Sequence, residues 1–340
     1  MRFRLLLLCL PVLLGACSQT SAPVRLDLIG ATGLTSGNRT VAPSDTLTTR
    51  LYAVSNDDTL RHLRITVTYT PGLEPIAYPT PITSFNPDNA PKAEEIVYLD
   101  SLIRPVNSSS NGHTFSEYLF NNSFSARTTS GIELWQYTVN DSKSESASRA
   151  YRLTVRQSDS ALVYHRYTAV LRPVPRTRPG RDSLRISARS RVFLNLRTGL
   201  LLPRFAVLQG KAPVPSTQSL VDLIARSRSG SSVILSSPDD DSLVVNSNRW
   251  PSNKRRTTEL RSTRLSDTDF NNAATPAAFS DAFKNGAAFT SPGNTGPLAK
   301  GQVIAFQVRD DGGATYTGLL LVRDLLLGTS PTLACTVKVP

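Results

Sequence analysis

The strongest surface candidate for chemistry is Arg249-Trp250-Pro251 with Lys254, Arg255 and Arg256 just beyond it. An indole face beside fixed guanidinium charge can hold a sugar ring that carries an acidic group, or a phosphate. The competing reading is a core tryptophan with solvated basic neighbours. Asp239-Asp240-Asp241 is the densest carboxylate group. It lacks the alternating Asp-x-Asp-x-Asp-Gly spacing of a calcium loop and reads as a solvated turn. His62, His113 and His165 are the three histidines, and none has a second histidine at metal-ligand spacing. No glycine-rich phosphate loop, HExxH, GxSxG or CxxC occurs. Serine is so frequent that a serine nucleophile leaves no signal. These patterns nominate no catalytic residue, no metal ligand and no cofactor, and the expectation is a non-enzyme.

The N-terminus carries a different kind of chemistry. Arg2 and Arg4 precede an almost unbroken apolar run from Leu5 to Leu14. About ten residues cannot cross a hydrocarbon core that needs roughly 20 in a helix, so residues 1–16 read as a signal peptide. Leu14-Gly15-Ala16-Cys17 then resembles the bacterial lipoprotein box at all four positions. The resemblance implies cleavage before Cys17 and acylation of its thiol, with residues 17–24 as a lipidated tether. Each buried CH2 of such a chain contributes about 0.8 kcal/mol. Ser18-Gln19-Thr20-Ser21 places no acidic residue after the cysteine. By the same resemblance this favours the outer membrane, facing the periplasm.

Composition narrows the partners. The chain has 340 residues and a formal net charge of +12. Residues 17–172 hold 14 Lys/Arg and 14 Asp/Glu, whereas residues 173–340 hold 22 and 12. A basic half held at a membrane surface suits anionic partners: acidic polysaccharide, cell wall, lipid head groups or an acidic protein. Nucleic acid is not expected in that compartment. Only Cys335 remains unlipidated in a mature chain, so no internal disulfide can form, and its alternating surroundings make it a buried thiol.

Short alternating apolar runs, broken by turn residues, predict an all-β protein. Leu63, Ile65, Val67 and Tyr69 alternate with polar residues, as do Ile132 to Val139 and Tyr151, Leu153 and Val155. Trp135 lies in the second of these runs and reads as core. Seven to eight strands over residues 25–172, the last ending at Leu171, predict a first β-sandwich. The segment Gly131 to Val155 resembles the last hairpin of immunoglobulin-like domains, without their Cys…Trp…Cys pattern. A proline-rich linker at 173–182 leads to a second, basic β-sandwich at 183–340. One short helix is expected there, capped by Thr275-Pro276 and closed by Asn285-Gly286. Phe193-Leu194-Asn195-Leu196-Arg197-Thr198-Gly199, Gly301 to Phe306 and Gly318 to Val322 resemble the C-terminal domain of uncharacterised two-domain lipoproteins of the Bacteroidota. That resemblance implies a compartment and a layout, and no activity. Three functional readings follow: a non-catalytic binding or scaffolding module of the envelope, a glycan-capture accessory, and a hydrolase with an unrecognised site.

Overall fold

The structure, a computed structural model, describes residues 22–71, 93–103, 116–156, 164–173, 190–208, 216–228, 230–240, 250–309 and 313–340. Cys17, His113, Asp241, Arg249 and nearly all of the expected linker lie outside these residues.

The first half is an immunoglobulin-like sandwich. A three-stranded sheet holds β1 (Val24–Leu28), β3 (Thr46–Ser55) and β6 (Ser116–Ser125). A five-stranded sheet is ordered β2 (Arg39–Val41), β8 (Ser146–Val155), β7 (Gly131–Asp141), β4 (Leu60–Pro71) and β5 (Glu94–Leu102). β2 runs parallel to β8, and the other pairings are antiparallel. The period-2 pattern decides which side chains face in: Leu63, Ile65, Val67 and Tyr69 are buried while Arg64 is exposed. No disulfide ties the sheets. Phe124 lies 3.9 Å from the ring of Trp135 instead, and Thr49, Tyr151, Tyr137 and Asn122 form a buried hydrogen-bonded chain between the sheets.

The second half stacks two more sheets. A four-stranded sheet is ordered β11 (Leu201–Pro203), β10 (Arg191–Leu194), β12 (Leu223–Arg228) and β13 (Ser232–Ser236). It faces a six-stranded sheet of β15 (Ala287–Ala288), β14 (Thr257–Ser262), β16 (Val303–Arg309), β17 (Thr315–Leu326), β18 (Thr332–Val339) and β9 (His165–Leu171). Two helices lie on the far side of this large sheet: α2 (Asp267–Asn272) and α3 (Pro276–Asn285). Phe270, Phe279 and Phe283 pack there on Val303, Ala305, Leu319 and Leu321. Ile304, Phe306, Leu320 and Val322 face the other way. Being covered on both faces explains why β16 and β17 read as continuous apolar runs.

The expected helix is α3. The Thr275 hydroxyl accepts from Ala278 N–H, Pro276 opens the first turn and Gly286 closes the last. α2 was not expected. It starts with a capping box in which Ser266 and Asp269 satisfy each other's main-chain N–H.

Two expectations about layout need correction. The strand ending at Leu171 does not close the first sandwich: β9 pairs along its whole length with β18, from Leu171↔Leu333 to His165↔Val339. The hydrophobic cores are also not separate. The four-stranded sheet is apolar on both faces. Phe193, Leu202 and Ile224 join the core of the first sandwich, while Leu194, Leu201, Leu223 and Leu235 join that of the second.

The first sandwich is open between the edges of β5 and β6, where its smaller sheet has run out of strands. The apolar segment Leu200 to Leu208 breaks after Pro203 into a single helical turn, α1 (Arg204–Val207). This turn fills the opening. The Phe205 ring meets Tyr98 of β5 at 6.1 Å and Phe120 of β6 at 5.8 Å, edge-on in both cases.

Candidate functional site at the junction of the two halves

In the described part of the aromatic-basic stretch the ring does not reach the surface. Trp250 is 0% exposed and its ring packs edge-on against Phe193 at 5.8 Å. Its indole N–H donates to the Lys254 carbonyl at 3.2 Å. Arg255 turns back, with Nε and Nη2 donating to the Trp250 carbonyl. Arg256 Nη1 bonds Asp222 at 2.9 Å. Of the five residues, only Lys254 is described as exposed to solvent. The apolar ring wins its burial because the doubly covered four-stranded sheet needs a large cap over Phe193, and the backbone that carries it brings the arginines inward.

The carboxylates are spent in the same way. Asp222 accepts from Leu196 N–H, Arg256 and the Tyr316 hydroxyl. Burial outweighs these partners and pushes its carboxyl above the usual range. Asp240, expected in a solvated turn, is buried and receives Arg226 and Asn294, each at 3.1 Å. Asp239 accepts from the Ser237 hydroxyl. In the first sandwich, Glu133 is 1% exposed. It takes the Trp135 indole N–H at 2.9 Å and the Arg127 main-chain N–H, and burial again raises its pKa. Lys338 Nζ donates to the carbonyls of Phe270, Asn271 and Ala273, closing the C-terminal end of α2 between the rings of Tyr164 and Phe270. Burial lowers its pKa to about 8. Cys335 is buried as expected, its thiol pushed up to about 12. Among the described residues no three His, Cys, Asp or Glu side chains gather in a metal-binding group.

Two histidines find partners. His62 pairs with Asp100 across β4 and β5. His165 sits at the junction, where Thr128 Oγ1 of the first sandwich lies 2.7 Å from its Nε2. The same hydroxyl donates to the Thr198 carbonyl at 2.7 Å. A hydroxyl has one proton to give, so towards the imidazole it accepts, and His165 carries its proton on Nε2. Burial holds the ring neutral by lowering its pKa to about 4. The pair therefore has the residue types of a nucleophile and a base, but the proton runs the wrong way for activating the threonine. Gly199 presses on it from the second half with φ +64, where a Cβ would collide with the Thr128 side chain.

Beside this clip is a cleft of about 390 Å³, lined by Pro43, Ser44, Thr128, Arg166, Thr168 and Thr336, with Tyr167 below. Its floor follows from sheet register. Arg166, Thr168, Thr336 and Lys338 share the face of β9 and β18 that continues the face covered by α2 and α3. The helices cover β16 and β17 but leave the outermost strand bare: Arg166 and Thr168 are exposed, and Val170 is 39% exposed. The turn before β3 overhangs this strip, with the Ser44 hydroxyl donating to the Thr168 carbonyl at 3.1 Å. Arg166 reaches Asn271 of α2 at 3.2 Å, and Arg323 holds Thr336 Oγ1 at 3.1 Å. No sequence signal marks the cleft. Thr128 stands in what reads as an ordinary Thr-Thr-Ser-Gly turn, and its partners lie 37 and 70 residues away.

No family model and no curated protein matches this chain. Among solved structures, the ASH/PapD-like domain 7 of human CEP192 is similar at 11% identity over 43% of this chain and 92% of that one, with a TM-score of 0.19. Nothing about function is carried over from a likeness at that score.

Proposed function

We propose that the protein is a lipid-anchored component of the bacterial envelope that works by binding and not by catalysis. Cys17 carries the anchor, and the two fused sandwiches form a rigid body that presents a polar cleft to an envelope polymer or a protein partner. The observation that supports binding over turnover is the commitment of the buried ionisable groups. Asp222, Asp240, Glu133, Lys338 and His165 each satisfy another part of the chain. The Thr128–His165 hydroxyl–imidazole pair is oriented against nucleophilic attack. Residue types alone left a hydrolase open; that geometry argues against it.

The reading is tested by photocrosslinking in the producing bacterium, with the crosslinker at exposed Thr168 of the full-length protein. A discrete membrane-associated adduct is expected, and its loss from the Cys17→Ala chain. A protein that labels nothing, or a purified protein that shortens envelope polysaccharide, would contradict it.

A further inference from the structure

We infer that the junction cleft is a site for an acidic monosaccharide unit. This rests on reading the chain as a binding module and names what that module holds. The cleft volume, about 390 Å³, falls within the roughly 300–1,000 Å³ of small-molecule sites. Its chemistry is unusual for an exposed strip of sheet. Thr168 brings an exposed hydroxyl to the opening and half-buried Ser44 stands over it, while the buried hydroxyls of Thr128 and Thr336, held by Thr198 and Arg323, line it from below. Hydroxyl groups both donate and accept, which matches the ring substituents of a sugar. Arg166 supplies a planar fork of donors at the rim, the geometry that carboxylates prefer.

The cleft is built by both halves, its floor by β9 and β18 and its overhang by turns of the first sandwich. Ser44 is held over the strip at φ 66, a left-handed conformation that few non-glycine residues adopt, and its hydroxyl ties it to β9. Arg323 holds Thr336 from behind, and Asp267 in turn holds Arg323 at 2.8 Å. The nearby Asp45 carboxylate is turned away onto Ala42 N–H. Among the described residues Arg166 faces the opening with no carboxylate in hydrogen-bond reach, its bond being to the neutral amide of Asn271. The ligand is bound intact: the Thr128 hydroxyl donates its hydrogen bond to the Thr198 carbonyl, and no carboxylate lines the cleft to act as acid or base.

The test is ligand-observed NMR on the soluble chain from residue 18, using D-glucuronate and D-glucose as probes, with Arg166→Ala and Thr168→Ala alongside. Both positions are exposed, so neither variant should disturb folding. Saturable glucuronate binding is expected, at least tenfold tighter than glucose, with the preference lost in Arg166→Ala and weakened affinity for both sugars in Thr168→Ala. No saturation by either sugar at 50 mM (about that concentration marks the weak end of a usable site), or unchanged binding in both variants, would overturn the site. A discrete crosslink from Thr168 in cells together with no sugar binding would retain the binding module and discard the saccharide.

Discussion

Thr128 and His165 are joined across the boundary between the two halves by a 2.7 Å contact in which the imidazole is the donor. The ring is neutral because it is buried. Folding therefore disfavours its protonation, and the sign follows. The clip contributes fully above the ordinary histidine value of 6.5 and is lost progressively as pH falls towards about 4. Urea unfolding at pH 7.5, 6, 5 and 4.5 should show a decline that is smaller in His165→Gln. Parallel declines in both proteins would show that the imidazole does not carry the effect.

Removing Trp250 should act on stability and not on recognition. Trp250→Ala opens a cavity against Phe193 and costs about 3–5 kcal/mol. The midpoint of urea unfolding reports this directly, and crosslinking from Thr168 should persist wherever the variant remains folded.

Arg256→Ala is expected to be more damaging than Asp222→Asn. The first leaves a carboxylate, 0% exposed, without its cation, an effect of about 3–5 kcal/mol. The second keeps an acceptor oxygen for Leu196 N–H. Equal losses in denaturant titrations would mean that the charge pairing contributes little.

Gly199→Ala should loosen the junction. It imposes a side chain at φ +64 and drives it into Thr128, which together cost about 1–3 kcal/mol. Limited proteolysis near residues 198–200 should accelerate, whereas Gly296→Ala, at φ +63 with open space around it, isolates the backbone contribution alone.

Much of the architecture was legible because strand periodicity is local. The alternation in β4, β7 and β8 identified their buried faces, and Thr275-Pro276 with Gly286 bounded α3. The sequence misled where burial on two faces erased the pattern. Leu200 to Leu208 looks like one apolar strand, yet Pro203 ends it and Phe205 is needed in the gap between β5 and β6. β9 alternates like any outer strand, and nothing in residues 165–171 says which sheet it joins; its partner β18 lies more than 160 residues later. Trp250 shows the limit most clearly. Aromatic and basic residues together look alike whether they face solvent or cap a core, and only Phe193 on the neighbouring sheet decides it. The cleft is assembled from segments 43–44, 128, 166–168 and 336, a spacing no local motif can encode.

The cleft exists only if the four-stranded sheet packs on the first sandwich with one face and on the six-stranded sheet with the other, and the chain has two tryptophans to test that. Trp135 reports the interior of the first sandwich, and Trp250 reports the face of the four-stranded sheet that packs against that sandwich. In Trp250→Phe and Trp135→Phe, which keep one probe each, fluorescence and far-ultraviolet circular dichroism should follow the same denaturant transition. Phe205→Ala, which empties the gap between β5 and β6, should pull the two signals apart. Separate transitions with Phe205 in place would mean two independent domains, and would contradict a fixed site between them.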